Sequence, residues 1–250
     1  MSQPLVIRTD VDGITSLIFN RPEKLNTLGH AVFNELRQHI IDIQDDAGVR
    51  CVILRGAGKC FSAGHDLSEV AELADQQASE PGWESQTLRM LERMSKPVIA
   101  AVHGHCYTGA LEVALAADFI VVADNARLAD THAKWALTPI WGMSQRLPRR
   151  VGLATAKRLM FTSTIIDANE ALRIGLCEAV YPLDRFDEEI EKLAHTILEN
   201  SAFSQAAYKR LLEATDGDSL DKGLQWEVYE TEGTGPDVQA RIDAFARKSK

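Results

Sequence analysis

The sequence predicts an α/β fold in which a sheet or spiral of strands is covered on both faces by helices and followed by a helical C-terminal part. Three observations lead there. Apolar runs at Val49–Leu54, Val98–Val102 and Phe119–Ala123 lack the polar–apolar alternation of a strand that faces water. The first two each run into a glycine turn and then a helical segment, so one strand–turn–helix unit occurs twice. From about residue 152 the apolar positions recur mainly at helical spacing.

The elements follow in order. Val6-x-Arg8 leads through Asp12-Gly13, a hairpin signal, to a second strand at Ile14–Phe19. Asn20–Asn26 is a polar loop broken by Pro22. Val32, Phe33, Leu36, Ile40 and Ile43 share one helical face, which predicts an amphipathic helix over 30–45. Asp46-Ala47-Gly48 ends it before the buried strand Val49–Leu54. A glycine turn spans Gly56–Glu69, and a polar helix is expected over 67–80, broken at Pro81-Gly82. Leu88, Leu91 and Met94 predict a helix over 84–94 that stops at Lys96-Pro97. After the strand Val98–Val102, a second small-residue turn, His103–Ala110, precedes a buried helix at Leu111–Ala117. The strand Phe119–Ala123 closes this part. Helices are then expected at 152–162, 167–174, 184–199, 201–215 and 237–248.

Bulk properties narrow the function. The formal net charge is −9, which argues against nucleic acid as a partner, because phosphate binding wants a basic face. Cys51, Cys60, Cys106 and Cys177 show no metal-ligand spacing and read as buried free thiols of a reducing cytosol. No window has the length of a membrane-spanning helix, and the first residues lack a secretory apolar stretch. A cytoplasmic protein that binds no membrane is expected.

The two glycine turns and one glutamate carry the chemistry. Gly109 stands at the start of a helix, and Glu112 lies three residues on, on the same face. A carboxylate inside Leu111-Glu-Val-Ala-Leu-Ala-Ala is costly unless something uses it. It either caps the first turn of its own helix or serves a reaction. If the parent strands are neighbours, the N–H groups after Gly64 and at Gly109 converge on one oxygen, where they would stabilise an enolate. Glu112 beside that oxygen would move a proton or orient water.

Asn20-Arg-Pro-Glu-Lys-Leu-Asn26, Phe61-Ser-Ala-Gly-His-Asp-Leu67, Gly104 through Asp118, and Pro139-x-x-Gly142-x-x-Gln145-Arg-Leu147 together resemble the enoyl-CoA hydratase/isomerase (crotonase) superfamily. The resemblance runs from about residue 5 to 245. It implies a crotonase-like spiral of ββα units over 1–175, holding the acyl-CoA site, and a helical oligomerisation region over 176–250. It implies a homotrimer or a dimer of trimers, and no cofactor beyond the coenzyme A that enters with the substrate. The backbone N–H groups of His65 and Gly109 would form the oxyanion hole, so His65 would act through its backbone. Lys24, Leu25, Ala63, Asp66, Leu67 and Ser68 would contact coenzyme A, with Lys209 as a further candidate for its phosphate.

The implied activity is that of an enoyl-CoA hydratase-like lyase, adding water to a 2-enoyl-CoA. Hydratases of this superfamily carry two glutamates. The first falls on Glu112; the second falls on His132, within Ala129-Asp130-Thr131-His132-Ala133. Several readings stay open. His132 replaces the carboxylate as general acid/base; Asp130 does so in a shifted register; or the enzyme needs one carboxylate only, as in decarboxylation of a malonyl-type CoA. His132 is otherwise a hydrogen-bonded pocket histidine. Trp135, Ile140 and Trp141 either narrow the acyl pocket toward short or planar groups or pack in the core. Two further classes compete: a metal site from His65, Asp66, His103, His105 and His132, and a crotonase-like scaffold with little catalytic activity.

Overall fold

The computed structural model describes residues 3–66 and 82–248. Its centre is a six-stranded sheet in the order β1 (Val6–Val11), β2 (Ile14–Phe19), β3 (Cys51–Gly56), β4 (Val98–Val102), β6 (Phe119–Ala123), β9 (Ala179–Tyr181). β1 and β2 form the expected hairpin, with Val11 opposite Ile14. Its two-residue turn has φ of 49° at Asp12 and 84° at Gly13, the left-handed pair that matches strand twist. Every other neighbouring pair in the sheet is parallel.

Side chains of the central strands enter two cores, which explains their lack of alternation. Val52, Leu54, Val98, Ala100, Val102, Ile120 and Val122 face a large core, with α1 (His30–Gln44), α2 (Trp83–Glu92) and α3 (Gly109–Leu115) packed into it. Cys51, Ile53, Ile99, Ala101, Val121 and Ala123 point the other way, against Phe186, Ile190, Ala194 and Ile197 of a later helix, α7 (Phe186–Leu198). α1 buries the five apolar residues that predict it, Val32, Phe33, Leu36, Ile40 and Ile43. All four cysteines are buried and free.

A second sheet was not legible. β5 (His105–Tyr107), β7 (Arg127–Ala129) and β8 (Ile166–Asp167) pair in that order, so the expected turn at His103–Ala110 contains a short strand. Two helices were also missed. α4 (Met143–Val151) runs through Pro148, a residue that ordinarily stops a helix. It is followed by α5 (Leu153–Thr162), α6 (Ala168–Arg173), α7 and α8 (Ala202–Ala214), close to the expected ranges. α9 (Leu220–Tyr229) is the other; it buries no residue, so it leaves no strong periodic signal. α10 (Val238–Lys248) ends the described chain. β9 lies beyond residue 175 yet pairs with β6 in the main sheet. The expected helix over 67–80 falls outside the described residues.

Candidate active site

The two glycine turns meet because their parent strands, β3 and β4, are parallel neighbours. A parallel bridge joins Ser62 to Cys106: the Ser62 N–H donates to the His105 carbonyl (3.0 Å) and the Tyr107 N–H to the Ser62 carbonyl (3.4 Å). Gly64 sits at φ 101°, and a Cβ there would stand 2.5 Å from the Tyr107 carbonyl oxygen and 3.6 Å from the Gly109 nitrogen. Only glycine allows this approach. The other side of the first turn is fixed to the 20–28 loop. Ala63 N–H donates to Leu25 O (2.9 Å), Leu28 N–H to Gly64 O (2.8 Å) and Asp66 N–H to Leu28 O (2.8 Å).

These turns open onto a cavity of about 490 Å³. Ala63 and His65 line it from the first turn, and Tyr107, Thr108, Gly109 and Glu112 from the second. Thr131, His132, Lys134, Trp135, Leu137, Thr138, Ile140 and Trp141 supply the facing wall. Gly109 is the first residue of α3, so its N–H has no acceptor within the helix. Trp141 lies directly beneath it: a Cβ on Gly109 would meet Trp141 Cζ3 at 2.4 Å. The Trp141 ring stands 4.8 Å from that of His65 and 4.6 Å from Phe33, centroid to centroid. Trp141 is buried, whereas Trp135 and Ile140 are largely exposed at the cavity rim.

Glu112 does not cap its own helix. Its Oε1 accepts the Trp141 N–H (3.1 Å) and the Met143 N–H (2.9 Å), which leaves Oε2 toward His132. His132 Nε2 stands 3.8 Å from that oxygen. On the far side of the ring, Nδ1 is 2.6 Å from Asp130 Oδ1, which also accepts the His132 N–H (3.1 Å). The buried carboxylate of Asp130 accepts a hydrogen bond from Nδ1–H, which leaves Nε2 facing Glu112 Oε2. Asp130 itself does not line the cavity. The two open alternatives for the second acid/base thus occupy one hydrogen-bonded unit, with His132 inside and Asp130 behind it. Burial pushes the Glu112 carboxyl above its ordinary value, opposed by the Met143 N–H, by His132 and by the Trp141 N–H.

Thr108 is held in an unusual backbone conformation, φ 52° and ψ −110°. Such a conformation costs a non-glycine residue about 1–3 kcal/mol and persists only where its surroundings enforce it. Thr108 precedes α3 but makes no side-chain cap bond to it. Its hydroxyl instead pairs with that of Thr131 (2.5 Å).

The residues expected to contact coenzyme A separate into groups. Ala63 lines the cavity; Lys24, Leu25 and Asp66 do not and lie beside it. Asp66 accepts from Arg21 (3.2 Å) and Thr27 Oγ1 (3.4 Å) and stands 4.0 Å from Lys24 Nζ. Leu67 and Ser68 fall outside the described residues. Lys209 pairs with Asp118 (2.7 Å) and the Lys96 carbonyl (3.1 Å), at the opposite end of β4 from the glycine turns. The histidines of the supposed metal site take separate partners. His103 Nε2 meets the Gly58 carbonyl (3.0 Å), and the His105 ring packs on Tyr107 with centroids 4.9 Å apart.

Comparison with known proteins decides the family. Residues 9–250 match the family profile described as enoyl-CoA hydratase/isomerase. The chain belongs to that family. An enoyl-CoA hydratase/isomerase fold is also what the solved structures show: an enoyl-CoA hydratase from Bacillus anthracis superposes with a TM-score of 0.90 at 32% identity, covering 98% of this chain and 96% of its own. Among curated relatives, the crotonyl-CoA hydratase of Syntrophomonas wolfei is 33% identical over 91% of this chain and 88% of its own length. The short-chain-enoyl-CoA hydratase of Clostridium acetobutylicum is 33% identical over 95% and 92%. Within this enoyl-CoA hydratase/isomerase chain, sequence reasoning missed Thr108, Thr131 and Arg21. Their roles lie in contacts between distant segments, and no local pattern announces them.

Proposed function

We propose that this chain adds water across the double bond of a 2-enoyl-CoA to give a 3-hydroxyacyl-CoA. The observation that carries the reading is the facing pair Glu112 Oε2 and His132 Nε2, 3.8 Å apart, in the wall of the cavity that Gly109 opens onto. Hydration needs two proton-handling groups; decarboxylation of a malonyl-type CoA needs one at most. The names of the relatives point the same way.

In this mechanism the thioester oxygen lies between the His65 and Gly109 N–H groups, which stabilise it as an enolate oxygen. Water sits between Glu112 and His132. Because Glu112 Oε1 accepts two backbone N–H groups, its acidic proton resides on Oε2. His132 Nε2 takes a proton from water, the hydroxide adds to Cβ, and Glu112 delivers its proton to Cα. The imidazolium then returns a proton to Glu112, restoring both groups. Lys24, Leu25, Ala63, Asp66, Leu67 and Ser68 hold coenzyme A, and no other cofactor takes part. The protein works in the cytoplasm, a reading supported by four free thiols. It assembles as a homotrimer or a dimer of trimers; Leu212, Leu220, Val228, Tyr229 and Phe245, all exposed on α8, α9 and α10, support association.

The test follows the enoyl-thioester absorbance on adding crotonyl-CoA. The wild type is expected to bleach it. Glu112→Gln is expected to lose about a hundredfold or more in kcat, and His132→Ala to be strongly reduced. Carbon dioxide release from malonyl-CoA, with no bleaching of short or medium enoyl-CoAs, would replace hydration by decarboxylation.

A further inference from the structure

Thr108 and Thr131 have no part in the proton transfers above, yet they join the two halves of the site. We propose that the Thr108 hydroxyl, paired with Thr131, is a positioning device that aims the Gly109 N–H at the thioester oxygen and fixes it relative to His132. The proposal rests on the acyl-CoA reading of the cavity.

The peptide unit between Thr108 and Gly109 has two ends. Its carbonyl accepts the Glu112 N–H at 3.1 Å, and its N–H, on the opposite edge, belongs to the cavity-lining Gly109. The direction of that N–H is set by the φ and ψ of Thr108, 52° and −110°. A relaxed threonine would rotate this plane and turn the donor away. The Glu112 N–H holds the carbonyl edge of the plane, and three further bonds hold the Thr108 residue from which the plane hangs. The Thr108 N–H donates to the Ala129 carbonyl (2.8 Å), its Oγ1 pairs with Thr131 Oγ1 (2.5 Å), and the same Oγ1 accepts the Thr131 N–H (3.2 Å). Two of the three end on Thr131, the chain neighbour of both Asp130 and His132. Added to the β5–β7 pairing that ends at Tyr107 and Ala129, this tie sets the distance between Gly109 and His132. Thr108 is a positioning residue: its hydroxyl acts through Gly109 and His132.

Four variants test this, each with thermal melting as a check on folding. Thr108→Val keeps the shape and loses the tie; Thr108→Gly loses the tie and relieves the strain; Thr108→Ser keeps the hydroxyl; Thr131→Val removes the partner. Valine at 108 is expected to lower kcat for crotonyl-CoA about tenfold to a hundredfold with KM within about twofold. Serine is expected to recover most of that loss. The glycine variant is expected to melt at or above the wild-type temperature and still lose kcat, which a purely structural role would not produce. Thr131→Val combined with Thr108→Val is expected to be no worse than Thr108→Val alone.

A second readout does not depend on which bond reacts. Difference infrared spectra of bound butyryl-CoA labelled with 13C at the thioester carbonyl are expected to show a red-shifted carbonyl stretch in the wild type and a smaller shift in Thr108→Val and Thr131→Val. Equal shifts in wild type and variants, or a serine variant as impaired as the valine one, overturn the positioning role alone. No shift in the wild type overturns the acyl-CoA reading and this proposal with it.

Discussion

Asp130 decides how His132 can act. Its Oδ1 holds both the ring Nδ1 and the backbone N–H of His132, so the ring can neither flip nor choose its tautomer freely. Asparagine offers Nδ1 a donor or an acceptor and no longer fixes it. Asp130→Asn is expected to lower kcat about a hundredfold with little change in KM, measured on crotonyl-CoA. Glu112 makes a complementary prediction about stability. Burial raises its pKa, so the folded chain holds this proton to higher pH than the unfolded chain does. Stability contributed by the protonated form is therefore lost as pH rises from the ordinary value of 4.5 through the raised one. Glu112→Gln keeps an oxygen for the Trp141 and Met143 N–H groups and has no proton to lose. It is expected to melt higher than the wild type at neutral pH, with the gap closing on acidification below 4.5.

At the scale of elements, the site depends on how closely two strand ends approach. Gly64 has φ 101° and the Tyr107 carbonyl where a Cβ would go. Gly64→Ala is expected to cost about 1–3 kcal/mol in chemical denaturation and to lower activity more than stability, because it parts the His65 and Gly109 donors. This contact was half legible. The strands β3 and β4, the hairpin turn at Asp12-Gly13 and the buried face of α1 follow from local patterns, and Gly64, Gly109 and Glu112 stand out by type and position. What stayed hidden depends on pairing across long separations. β5, β7 and β8 are two or three residues long, too short for a period to show. Pro148 disguised α4, and α9 buries no residue, with only Gly223 and Trp226 partly covered. Thr108 stayed silent because its hydroxyl crosses to Thr131, 23 residues on.

The whole molecule is tied together at the end of the sheet away from the cavity. Asp118, before β6, accepts the Val98 N–H (2.7 Å) at the start of β4 and the Lys209 ammonium (2.7 Å) from α8. Burial raises the Asp118 pKa, and Lys209 is the strongest influence lowering it again. Lys209→Met would leave a half-buried carboxyl without the ammonium it is bonded to. It is expected to cost about 2 kcal/mol in denaturant unfolding while leaving the KM for acyl-CoA unchanged, because this lysine is committed to the fold.

Glu112 is anchored by the same loop that forms one wall of the cavity. The N–H groups that hold its Oε1 belong to Trp141 and Met143, and Trp141 also forms the floor under Gly109. A shift in the backbone path of this loop would move the cavity wall and the donors of the carboxylate together, whereas a side-chain exchange at Trp141 would leave both donors in place. In this chain the shape of the cavity and the setting of its buried carboxylate are coupled through one stretch of main chain.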